Sequence, residues 1–154
     1  MNPKLFTFLL LLLVIPLSHG CKKEKDPWVW CMDCTMNDIV GQFEGKGYYV
    51  HADNSVELFD QPVYLNISEQ GIDGLTVQVG ILNRFYMSIG GQYTQTYYLS
   101  LGSMSEDFYL TIWKNNDEIK LSGTAKRFYS KIVGDVEYKI TTELLDFEVF
   151  HVED

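Results

Sequence analysis

Cys31 and Cys34 stand in the run Trp30-Cys31-Met32-Asp33-Cys34. Two thiols at this spacing can cycle between dithiol and disulfide, provided that one of them is held as the attacking thiolate. Asp33 lies between them and opposes a thiolate, a charged stretch precedes the pair, and Gly41-Gln42-Phe43-Glu44-Gly45, a poor helix former, follows. A small structural disulfide loop is therefore the expected state of Cys31 and Cys34, with thiol redox chemistry as the alternative. A metal site would need a second pair of ligands that the neighbourhood does not offer.

Other residues with chemical potential are few. The histidines are His19, His51 and His151, none of them near a nucleophile motif, and the Gly-x-Ser-x-Gly elbow is absent. His51 with Asp53, or His151 with Glu153, could supply two metal ligands each, but a third and fourth are not visible, so these read as solvated strand ends. Asp53, Glu57 and Asp60 lack the glycine spacing of a calcium loop and read as acidic loop surface. Asn66-Ile67-Ser68 fits a glycosylation sequon but falls within a strand pattern. The chain therefore reads as a non-enzymatic protein with no cofactor and no metal.

Ten tyrosines remain. Strand packing accounts for most of them, and a functional reading is a platform that stacks sugar rings or grips a protein. Tyr93, Tyr97 and Tyr98 are the nearest ligand-binding candidates, with Tyr97 expected to point inward and Tyr98 outward. Trp28 and Trp30 are expected as a lid over one end of the fold, or else as an exposed aromatic contact patch.

The elements that must position these residues begin with an address. Lys4 precedes an apolar run through Ile15 that is too short to span a bilayer comfortably, which reads as a secretory signal. It ends Pro16-Leu17-Ser18-His19-Gly20-Cys21, which resembles the cleavage box of bacterial lipoproteins. That resemblance implies lipidation of Cys21 and a cell-envelope protein anchored to the outer membrane, periplasmic or surface-exposed. Cysteine parity agrees, because lipidation of Cys21 leaves Cys31 and Cys34 to each other. Cleavage takes 20 of the 154 residues and leaves 134; it removes Lys4 from a chain of net charge -9 and leaves -10. The expected organisation is a signal peptide over 1–20, a lipidated cysteine with charged linker and Cys-x-x-Cys segment over 21–37, and a β domain over 38–154. The linker Lys22-Lys23-Glu24-Lys25-Asp26 resembles signals that some Gram-negative bacteria use to send lipoproteins to the cell surface.

With 46% apolar residues the chain can bury one core, and 12 Lys and Arg against 21 Asp and Glu exclude a phosphate-backbone binder. Trp30-Cys31-Met32-Asp33-Cys34 also resembles the Trp-Cys-x-x-Cys of thioredoxin-like oxidoreductases, which implies a βαβ setting. Downstream, however, no long amphipathic helix is legible. From Gly41 onward apolar and polar residues alternate in short segments divided by Gly, Asn and Asp. Strands are predicted near 42–51, 62–68, 75–82, 85–90, 93–101, 107–114, 118–127 and 135–150, the last with a break near Leu145.

A two-residue turn at Asn116-Asp117 sets Phe108, Leu110 and Ile112 opposite Ala125, Gly123 and Leu121. A turn around Gly71 sets Val63, Leu65 and Ile67 opposite Val79, Val77 and Leu75. A loop at Gly90-Gly91-Gln92 sets Phe85, Met87 and Ile89 opposite Tyr97, Gln95 and Tyr93. An outer-membrane barrel would need longer strands than the roughly seven-residue alternations seen in several segments.

This meander, with Gly41-Gln42-Phe43-Glu44-Gly45-Lys46-Gly47 opening the first strand and Leu121-Ser122-Gly123-Thr124-Ala125 late in the chain, resembles calycin-like lipoproteins. The resemblance implies an all-β, antiparallel, eight-stranded meander barrel or flattened barrel, related to lipocalins. Such a barrel could hold a small apolar or amphiphilic ligand, with Gly80, Gly123 and Ala125 making room and Phe85, Phe108 and Tyr138 able to fill it. Alternatively, a filled core would serve an interaction or inhibitor lipoprotein that meets a protein or glycan through its surface. Cys21→Ser is expected to move the full-length protein from the membrane fraction to the soluble fraction; continued sedimentation with membranes would remove the lipid anchor.

Overall fold

The computed structural model describes residues 27–52, 55–116 and 118–152. The segment expected to be a signal peptide, Cys21 and the expected linker lie outside the described residues, as do Asp53, Asp117 and Glu153. The chain runs β1 (Val29–Trp30), α1 (Met36–Ile39), β2 (Gly41–His51), β3 (Val56–Glu69), β4 (Gly74–Ile81), β5 (Phe85–Gln92), β6 (Tyr98–Gly102), β7 (Glu106–Asn115), β8 (Glu118–Val133) and β9 (Val136–His151). All eight predicted strands are present, β9 is continuous through Leu145, and β1 is an addition.

Alternation builds these strands and sets their inner face. Leu75, Val77, Val79 and Ile81 of β4, Phe85, Met87 and Ile89 of β5, and Phe108, Leu110 and Ile112 of β7 are all buried in one cluster. The pairing order is β5-β4-β3-β2-β9-β8-β7, and both β1 and β6 pair with the remaining edge of β7. The sheet is all antiparallel and curls around its core, but it does not close into the expected barrel. Its two ends, β5 and β6, meet through side chains, with Leu101 of β6 occupying the space where a side chain at Gly91 of β5 would stand. No ladder joins them among the described residues.

The β7–β8 register is the predicted one, with Phe108, Leu110 and Ile112 opposite Ala125, Gly123 and Leu121. The β3–β4 register differs by two residues: Leu65 faces Val79 and Ile67 faces Val77. Here Gly71 and Asp73 both take left-handed backbone, which centres the turn on Ile72, and a shift of two keeps the same side chains inside. The predicted β5–β6 hairpin does not form. Gly90 and Gly91 continue β5 because β4 supplies them with partners, Thr76 and Leu75. The chain then crosses through residues 93–97, and the Ile112 amide donates to the Tyr97 carbonyl at 2.9 Å.

The interior is filled where the sequence suggested room. A Cβ at Gly123 would land on the Tyr109 carbonyl and 3.0 Å from the Phe147 ring, which stacks on Phe108 at 5.9 Å. Gly80 faces outward, since its neighbours Val79 and Ile81 point in, and the Tyr64 ring covers it. Tyr138 is exposed and takes no part in the core.

Arg127 of β8 ties the rolled sheet together at one end. Its guanidinium pairs with Glu106 of β7 and Glu143 of β9, donates to the Tyr86 carbonyl of β5 at 2.7 Å, and lies over the Phe85 ring at 5.4 Å. The Tyr49 hydroxyl completes the cluster by donating to Glu143 at 2.8 Å. Burial first, and then this bond to a carboxylate, pushes the Tyr49 phenol up to about 12. A pKa raised on folding contributes stability that is present below the unfolded value near 10 and is lost as pH rises through 12. Tyr49→Phe is expected to cost about 1 kcal/mol at neutral pH and to lack this alkaline component. Urea midpoints between pH 8 and about 12 check it: wild type and variant should converge at the alkaline end, and parallel curves would refute the assignment.

Candidate functional site

Cys31 and Cys34 form a disulfide, with a Cα–Cα distance of 5.5 Å. The pair sits between β1 and α1, and both cysteines are buried, 1% and 2% exposed, against the main core. The Cys31 amide donates to the Ile112 carbonyl at 3.0 Å, so the loop is stitched to β7. Thr35 donates its amide and hydroxyl to the Asp38 carboxylate, each at 2.7 Å, which fixes the start of α1 and holds the Asp38 carboxyl below its usual range. Asp33 meets Lys114 at 3.3 Å. A one-turn helix and an antiparallel neighbour replace the βαβ setting, and burial of both cysteines suits a staple.

Tyr93 belongs to this staple. Its hydroxyl reaches the carbonyls of Cys34 and Thr96, each at 3.2 Å, its ring packs against the core, and burial raises its phenol. Tyr97 and Tyr98 part from it and join a row of rings on the outside of the sheet. Directly opposed residues share a face, so the pairs Trp30 with Trp113, Trp113 with Lys120, and Lys120 with Phe150 carry one outer row across β1, β7, β8 and β9. Trp30 stacks on Tyr97 at 6.0 Å and meets Trp113 edge-on at 6.2 Å; Tyr97 contacts Tyr98 at 5.0 Å, and Tyr98 stacks on Tyr109 at 5.9 Å.

The row is polar at its margin. The Trp113 indole donates to the Ser122 hydroxyl at 2.7 Å. The Lys120 ammonium lies between Trp28 and Trp113, 5.1 and 5.4 Å from their rings, and pairs with Glu148 at 3.0 Å. Trp28 also meets Phe150 at 5.9 Å. The expected lid is thus corrected: Trp28 and Trp30 lie along the outer face beside β7, and Trp30 is 57% exposed. Trp113 and Tyr109 were not among the sequence candidates. Their signal was present in the outward positions Tyr109, Thr111 and Trp113 of β7, where two of three are aromatic.

Among the described residues no group of three or more His, Cys, Asp or Glu could hold an ion; Asp53 and Glu153, the expected companions of His51 and His151, lie outside them. The His151 ring packs edge-on against Phe43 at 5.0 Å, and His51 Nδ1 is buried without a hydrogen-bond partner among the described residues. Asn66 lies within β3 and donates to Gln78 at 3.3 Å. No protein-family model matches the chain, and no curated protein is significantly similar to it.

Replacing Cys31 and Cys34 together by serine opens a loop of only a few residues and is expected to lower stability by about 2 kcal/mol. The denaturation midpoint of the double variant should match that of reduced wild type. A midpoint equal to that of oxidised wild type would show that the disulfide holds nothing.

Proposed function

We propose that this chain is a non-enzymatic, lipid-anchored protein of the cell envelope, calycin-like in build, that binds a glycan on its outer aromatic row. The observation that supports this reading is the unbroken series of ring contacts Tyr109, Tyr98, Tyr97, Trp30 and Trp113 on a solvent-facing surface. Most buried aromatic series are core, but here the rings stand on the far side of the sheet from the core, where polar residues cost nothing to keep. A pyranose ring offers an apolar C–H face to stack on such rings and hydroxyls to bond a polar margin, which Ser122, Lys120 and Glu148 supply. The alternative reading, a small apolar ligand held inside the sheet, meets Phe147 over Gly123 and Phe108 beside it.

Binding of the full-length protein to a panel of cell-envelope and host glycans, followed by calorimetry on the best ligand, tests the proposal. Trp30→Ala is expected to weaken binding roughly tenfold or more, the scale of one lost stacking contact of 1 to 3 kcal/mol. Native mass spectrometry of the same preparation separates the readings. A retained small molecule whose occupancy ignores Trp30→Ala would favour the container, and an empty protein that binds no glycan would overturn the platform.

A further inference from the structure

β8 and β9 outrun the sheet that contains them. Pairing of β7 with β8 ends at Glu106 opposite Arg127, and pairing of β2 with β9 ends at His51 opposite Glu143. β8 and β9 nevertheless pair with each other as far as Val133 opposite Val136. Single bonds from Phe128 to Ser105 at 2.9 Å and from Ala52 to Thr142 at 2.8 Å mark where support stops. Residues 129–140 therefore form a two-stranded arm with both backbone edges unpaired among the described residues. Isolated two-stranded ribbons are marginal in water, and unpaired edges are templates for another strand.

The arm is also unusually apolar. Opposed residues share a face, so one face carries Tyr129, Lys131, Val133, Val136, Tyr138 and Ile140. Tyr138 is 53% exposed, and Ile132 on the opposite face is 74% exposed. Charge sets the arm apart as well: Lys131 and Lys139 balance Asp135 and Glu137, within a chain of net charge -9.

We propose that the β9 edge of this arm is a self-association strand, pairing antiparallel with the same edge of a second copy about a two-fold axis through Tyr138. In that register Tyr138 meets Tyr138 of the second copy, Val136 meets its Ile140, and Glu137 meets its Lys139. Apolar residues thus face apolar ones on one side, and acid faces base twice on the other. Centring the axis on Glu137 or on Lys139 sets like charges opposite each other, and using the β8 edge about Lys131 does the same. Lys139 lies over the Phe128 ring at 4.1 Å, and its ion pair with Asp107 is long, at 3.9 Å, and exposed, so that pair yields readily to Glu137 of a second copy. The arm also holds the two acidic bodies apart. Five residues separate Tyr138 from Glu143, roughly 16 Å of strand, against a screening length of about 8 Å at physiological salt.

The test uses full-length protein in its own membrane and in detergent solution. Tyr138→Cys is expected to give a disulfide-linked dimer on mild oxidation in membranes, whereas Ser130→Cys on the β8 edge should give none. In sedimentation, Glu137→Lys and Lys139→Glu are each expected to weaken the dimer about tenfold or more, and the double exchange should restore it. Glu137→Lys should melt like wild type, since Glu137 is solvent-facing; Lys139→Glu also loses its contacts with Phe128 and Asp107, so its effect on the dimer is judged by whether the double exchange restores association. A protein that stays monomeric at all concentrations overturns the proposal. So does a dimer that the single variants leave intact, or one that the double exchange fails to restore.

Discussion

Each long strand of this protein has one apolar face, and among the described residues little besides the sheet itself covers it: the Cys31–Cys34 loop, Ile39 and Tyr93. The only helix among the described residues, Met36–Ile39, is a single turn and buries one side chain, Ile39. The sheet must therefore roll until its inner face meets itself, and close backbone contacts follow from that need. Gly45 and Gly47 of β2 lie where a Cβ would strike the Glu148 and Asp146 carbonyls of β9, and Gly123 of β8 lies against the Tyr109 carbonyl of β7. These glycines lie in strands, where the residue is ordinarily a weakness; here they admit the neighbouring backbone that tight coiling brings near. The seam between β5 and β6 follows from the same geometry. Rolling brings the two ends within side-chain reach, and the apolar packing of Leu101 over Gly91, with the hydrogen bond from Arg127 to the Tyr86 carbonyl, closes what no backbone ladder joins.

Much of this was legible in the chain. Strict alternation named the inner residues of β4, β5 and β7, and the small residues Gly123 and Ala125 opposite bulky Leu110 and Phe108 fixed one register. The misreadings have physical causes. Gly71 reads as the centre of its turn, but Asp73 also adopts left-handed backbone, so the centre lies at Ile72. Gly90-Gly91 has the composition of a turn, yet both continue β5, and Gly91 provides room for Leu101, a use that local sequence does not distinguish. The aromatic row was half visible. Tyr97 and Tyr98 stood out as neighbours, whereas Trp113 and Tyr109 lie in a strand whose intervening residues point inward, and only the pairing of β1 and β6 with β7 brings all the rings together. The arm left no local trace, since period-two alternation reads the same whether or not a strand has neighbours.

Inside and outside thus divide the work. The inner face is saturated, with Phe43, Phe108, Leu110, Ile112, Leu121 and Leu145 all fully enclosed. Variation in the outer residues leaves that packing untouched, so the surface is free to carry rings over β1, β6 and β7 and an apolar ribbon at the far end of β8 and β9. The two outer features lie toward opposite ends of β8: Lys120, in the ring row, is near its start, and Val133 is its last residue. A partner on one leaves the other open.

The attachment of β1 also determines how the domain meets a mechanical load. The described chain enters the fold at Pro27: Trp28 packs against Phe150 and Lys120, Val29 and Trp30 form two ladder pairs with Lys114 and Trp113, and immediately behind them comes the Cys31–Cys34 disulfide, itself bonded to β7 through Ile112. A pull applied at Pro27 must part Trp28 from Phe150 and Lys120 and peel those two pairs before it reaches the stapled loop. The strands β2 to β5, in which β2 is paired to both β3 and β9, lie behind the buried cysteines along the chain. The edge strand is thus a sacrificial first link, able to yield and reform while the rolled body keeps its shape.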